Sequence, residues 1–164
     1  MLYTPPVTNA EEQFMREAAR LALENVTSGA GGPFGAVVVR GGEVIARGVN
    51  RVTSTFDPTA HAEVVAIREA ARALGRFDLS DCEIYTSCEP CPMCLGAIYW
   101  ARLSRVAFGC TQADADAIGF SDQFIYEELA RPKEARALPM RQVGRAAAHK
   151  AFEAWTRSVS KVPY

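Results

Sequence analysis

The chain has 164 residues, 49% hydrophobic and 23% charged, with a formal net charge of -1. That length buries a full core without disulfide or metal staples, and the near-neutral balance lacks the basic stripe of a protein living mainly on nucleic acid. Five cysteines, an odd number without framework spacing, point to free thiols in a reducing compartment. No basic-then-apolar leader or bilayer-length apolar run stands out, so the cytoplasm is the expected location, with no membrane partner.

After a proline-containing lead-in over residues 1–8, Thr8 or Asn9 caps a helix expected to run to about Ser28, with Phe14, Met15, Ala18 and Leu21 as its buried stripe. The stretch PFGAVVVRGGEVIARGVN reads as a hairpin turning at Gly41-Gly42. Residues 51–57 read as a polar loop. Asp57 as cap and Pro58 as first residue then open a helix expected over 58–74, stopped by Gly75. Residues 82–86 form a central strand, 92–101 a helix and RVAFGC a fourth strand, an order that implies parallel pairing of the two strands. Residues 111–121 are expected as a loop or irregular helix, followed by a short helix through Leu129. A fifth strand or extended arm is expected over 137–143, and a last helix over 144–158.

The chemistry concentrates in TSCEPCPMCLGAIYWAR, residues 86–102. Cys91 and Cys94 are two residues apart, a spacing that presents two thiolates to one metal. Pro92 stands where a helix begins, and Leu95, Ile98 and Tyr99 supply an inward stripe. Buried structural thiols or a redox pair are the rival readings, the latter because a helix N-terminus also lowers a thiol pKa. His61, in DPTAHAE, is one of only two histidines. Two facing helix N-termini would deliver one imidazole and two thiolates, leaving a fourth position for water, with Glu63 as its base. Cys88 is a rival ligand that would close the site. Cys82 and Cys110 read as small packed hydrophobes, and His149 as solvated.

His61-Ala62-Glu63 followed by Pro90-Cys91-Pro92-Met93-Cys94 matches the zinc-deaminase pattern H-x-E then P-C-x-x-C. With GGPFGAVVV, DPTAHAEV, IYTSCEPCPMCLGAIYWAR and FSDQFIYEEL, the sequence resembles the cytidine and deoxycytidylate deaminase superfamily, and within it the bacterial guanine deaminases. The resemblance implies a fold: an α/β, three-layer α/β/α cytidine-deaminase-like domain over residues 1–164, with a central mixed five-stranded sheet. It implies one zinc on His61, Cys91 and Cys94, with Cys88 outside the shell and Glu63 as proton shuttle. Phe34, Asn50, Trp100 and Asp122 are implied as contacts to the purine base, Asp122 also helping to move protons at the leaving amine. It further implies a homodimer exchanging residues 131–164, so that Tyr164 reaches the partner's site. The activity implied is hydrolytic deamination of guanine to xanthine and ammonia. The alternatives are a purine nucleoside such as guanosine, tRNA adenosine, or a zinc-scaffold protein without activity. The mildly basic RPKEAR, RQVGR, Arg157 and Lys161 keep the RNA alternative open.

Overall fold

A computed structural model describes residues 6–164, so most of the expected lead-in lies outside the described residues. They fall into two compact units, one ending at Asp122 and the other comprising Gln123–Tyr164.

The first unit begins with helix α1 (Asn9–Thr27), where Thr8 and Glu11 form a reciprocal capping box. Its C-terminus is closed by Ala30 N–H on Asn25 O and Gly29 N–H on Val26 O, a Schellman arrangement with Gly29 left-handed. Strands β1 (Gly35–Arg40) and β2 (Glu43–Val49) make the expected hairpin. Both turn glycines take positive φ, 57° at Gly41 and 84° at Gly42, which side chains disfavour. A short helix α2 (Val52–Thr55) occupies part of the expected loop. Helix α3 is Ala62–Leu74, starting four residues later than Pro58. Asp57 caps no helix: its Oδ1 accepts from the N–H and hydroxyl of Thr59, a local turn that outcompetes a helical start. Strand β3 (Cys82–Cys88), helix α4 (Pro92–Trp100) and strand β4 (Arg105–Cys110) follow as expected, and β3 and β4 pair in parallel.

The sheet order is β2-β1-β3-β4, with the first two pairings antiparallel, so among the described residues the mixed sheet has four strands and not five. Residues 137–143 join no ladder. Pro139 lacks a donor in mid-segment, and ALPMRQV does not alternate as a half-buried strand must. Strand β1 is apolar on both faces because both are covered. Ala36 and Val38 pack in a cluster with Ala62, Ala66, Ala70, Ile84 and Ile98, while Val37 and Val39 join Tyr85, Phe14 and Met15 beneath α1. This is the α/β/α layering. Arg105 ties the layers at one edge, pairing with Glu11 of α1 and Glu83 of β3. On α4, Ile98 is buried but Tyr99 is 75% exposed, so the inward stripe is narrower than expected.

Gly48 brings β2 against α3. A Cβ there would lie 2.1 Å from Ala62 O and 2.5 Å from Ala66 N, both backbone atoms of the helix that leads off from His61. Gly48→Ala should therefore destabilise the fold by about 1–3 kcal/mol and loosen metal retention, read by thermal unfolding with and without chelator. An unchanged melting curve would show that α3 can shift without consequence.

In the second unit, α5 (Gln112–Ala117) having closed the first with its own capping box on Thr111 and Asp114, come α6 (Gln123–Ala130), a 3-10 turn (Lys133–Ala135) and α7 (Arg145–Arg157). By itself this unit buries no residue of either helix.

Candidate active site

His61 and Cys91 are the N-cap residues of α3 and α4, in extended backbone conformation, and neither makes a side-chain cap. The position that usually spends its side chain on the helix's own N–H groups is thus turned to another use. Pro92 at the first position of α4 loses nothing by lacking an N–H, and Cys94 follows two residues later. The two helix starts face one another. His61 Nδ1 lies 3.6 Å from Cys91 Sγ and 3.5 Å from Cys94 Sγ, and the three ligand atoms all fall within 4.8 Å of one another. One imidazole nitrogen and two sulfurs converging at that separation fit a tetrahedral zinc with one position left open.

The electrostatics agree. A hydrogen bond from Cys94, followed by one from His61, holds the Cys91 thiol down at about 4, while Cys94, left with the shared proton, is pushed up. The thiolate of Cys91 in turn raises His61. Cys88 stands apart: its Sγ donates to Thr111 O at 3.6 Å, and burial lifts its thiol to about 11. It therefore takes no part in the cluster, whereas Cys82 is fully buried and Cys110 is exposed, contrary to expectation, because the end of β4 is uncovered in this unit.

Glu63, the second residue of α3, is only 6% exposed. Burial pushes its carboxyl above the usual carboxylate range, and the thiol of Cys94 hydrogen-bonds to it. A buried acid with raised basicity, hydrogen-bonded to one of the clustered sulfurs, is chemically able to carry a proton there. Asp122 accepts from Gln112 Nε2 at 2.8 Å and is near enough to His61 to favour its charged form.

Asn50, at the end of β2, is buried and donates its backbone N–H to Phe34 O. The next N–H, of Arg51, bonds to Ala60 O, immediately before His61. Asn50 Oδ1 accepts from Val52 N–H at 3.3 Å, which leaves its amide nitrogen to donate elsewhere. Phe34 meets Phe120 edge to face at 5.0 Å, and both rings and the Asn50 carboxamide lie 3.5 Å from where a Cβ on Gly32 would stand. Thus Phe34 and Asn50 are brought together, with Phe120 as a neighbour the sequence did not single out. Trp100 ends α4, roughly 12 Å along the axis from its first residue, and is 68% exposed. Tyr164 belongs to the second unit.

An α/β/α sheet domain with a His/Cys/Cys cradle at two helix starts and a buried carboxyl beside it is a metal-dependent hydrolase in class. A family profile, the cytidine and deoxycytidylate deaminase zinc-binding region, matches residues 8–110. The guanine deaminase of Bacillus subtilis is 52% identical over 153 residues, 93% of this chain and 98% of that one. A crystal structure of the B. subtilis guanine deaminase superposes with a TM-score of 0.91 at 50% identity, covering 96% of this chain and 99% of the other. The guanine deaminase of Nitrosomonas europaea gives 0.67 at 35% identity, over 80% and 72%. A tRNA-specific adenosine deaminase of Aquifex aeolicus is 42% identical over 60% of this chain and 64% of its own. The chain belongs to the cytidine and deoxycytidylate deaminase family, and within it is closely related to the bacterial guanine deaminases.

Proposed function

We propose that the protein is a zinc-dependent guanine deaminase, converting guanine and water to xanthine and ammonia. The observation that carries this is the end-to-end likeness to the B. subtilis enzyme, supported by the converging ligand atoms of His61, Cys91 and Cys94 and by a buried Glu63 hydrogen-bonded to Cys94. Bound on His61, Cys91 and Cys94, zinc supplies Lewis acidity that makes water a nucleophile near neutral pH. Glu63 takes a proton from the attacking water and delivers it to N3 as the water oxygen adds to C2. The proton remaining on the added oxygen is carried by Glu63 with Asp122 to the amino group, the C–N bond breaks as that oxygen becomes the C2 carbonyl, and ammonia departs. Asn50 donates to the purine edge through its free amide hydrogens, and Phe34 packs on the ring.

Ammonia release from guanine, guanosine and an adenosine-bearing tRNA stem-loop, measured in parallel with the zinc-loaded protein, tests the reading. Turnover of guanine alone is expected. Turnover of the stem-loop alone would transfer the same chemistry to RNA and sink the free-base reading.

The working form is a homodimer in which residues 131–164 are exchanged and Tyr164 covers the partner's base. What supports this is a second unit without a core: α7 carries Ala148, Phe152 and Trp155 on one stripe yet buries none of them within the unit. Mixing inactive Glu63→Gln and Tyr164→Ala subunits should restore about a quarter of wild-type turnover, since half the reassorted pairs hold one intact site. No recovery on mixing, with dimers exchanging, would place Tyr164 over its own chain's site or none.

A further inference from the structure

We infer that Asn25, a residue of α1 that touches neither metal nor base, is a positioning residue for the base-recognition side of the site. The inference rests on the assignment of Asn50 and Phe34 to the substrate. Asn25 is a polar side chain 5% exposed, in the last turn of a helix whose other buried residues are Ala18 and Ala22. A carboxamide is not needed there for packing.

Its two amide hydrogens are both spent on backbone carbonyls of separate segments: Gly32 O at 2.8 Å and Asn50 O at 2.9 Å. Its own carbonyl accepts from Ala30 N–H and from the Ser28 hydroxyl, so the same residue closes the helix and starts the loop. Gly31 packs so tightly into this junction that a Cβ would meet Asn50 O at 2.2 Å and Asn25 Nδ2 at 2.9 Å. The Asn50 N–H to Phe34 O bond then completes a ring of contacts from Asn25 through Gly32 and Phe34 to Asn50.

Held in this way, the two side chains assigned to the base keep one separation. A buried donor pair satisfying two carbonyls is replaced only at the expense of leaving both unpaired or letting the segments part. Parting them would move Asn50 and Phe34 relative to each other while the zinc cradle, on α3 and α4, stays in place.

The test compares Asn25→Ala with wild type in steady-state turnover, zinc content and thermal melting, and repeats the comparison in an Asn50→Ala background. KM for guanine should rise about tenfold with kcat within about twofold and zinc unchanged, and the KM effect should shrink severalfold in the Asn50→Ala background, because part of it acts through Asn50. Should Asn25→Ala fail to fold, Asn25→Asp, matched in shape but lacking the NH2 group, serves the same comparison. An unchanged KM, an effect that adds fully to that of Asn50→Ala, or parallel loss of zinc would overturn the inference. If the wild-type enzyme ignores guanine but turns over another aminopurine, the guanine assignment alone fails and the Asn25 comparison is made on that substrate.

Discussion

Glu63→Gln should lower kcat by about 10³-fold while leaving zinc bound. The magnitude follows from what a positioned proton carrier contributes to such a reaction, on the order of 10²–10⁴ in rate. Glutamine keeps the shape and a hydrogen bond to Cys94 but can neither take a proton from water nor hand one on. Glu63 is outside the three-atom cradle, so metal content should stay at wild-type level. Melting should hold steady or rise slightly, because a buried carboxyl whose charged form burial opposes is exchanged for a neutral amide. Ammonia release under single-turnover conditions, zinc analysis and a thermal melt read the three quantities. A kcat within tenfold of wild type, zinc present, would remove Glu63 from the proton path.

Cys91→Ala should abolish turnover through the metal. It deletes one of three converging ligands and the one whose charge the site already favours. Two remaining donors, His61 and Cys94, cannot hold zinc against a chelator of moderate strength. The partner experiment is Cys88→Ala, expected to keep both zinc and activity, since the Cys88 sulfur is directed to Thr111 O. This pair separates a three-ligand open site from a four-ligand closed one. Were Cys88→Ala to lose zinc as fully as Cys91→Ala, the site would be structural and Glu63 would have no water to act on.

The His61, Cys91 and Cys94 cluster was the most legible part of the molecule because its information is local. C-x-x-C before a helix, a proline at its first position and H-x-E at another helix start each specify a short piece of backbone. Asn25 and Phe120 were missed for opposite reasons. Asn25 had a signal, a polar residue on the stripe continuing Phe14, Ala18 and Leu21, a register where only a satisfied amide is tolerated. Phe120 opens the FSDQFIYEEL stretch, but nothing local pairs it with Phe34, which lies far away in sequence.

What the sequence by itself determined were the elements whose causes sit within a few residues: the capped α1, the Gly41-Gly42 hairpin, the glycine that ends α3, and the strand, helix and strand that carry the cysteines. Only the tertiary structure decided that His61 Nδ1 meets both sulfurs and that Tyr99 points outward. Caps and turns are settled by neighbouring atoms. Ladder membership and the meeting of two helix ends depend on which distant surfaces bury one another, and a one-dimensional pattern of apolar residues is compatible with more than one such arrangement.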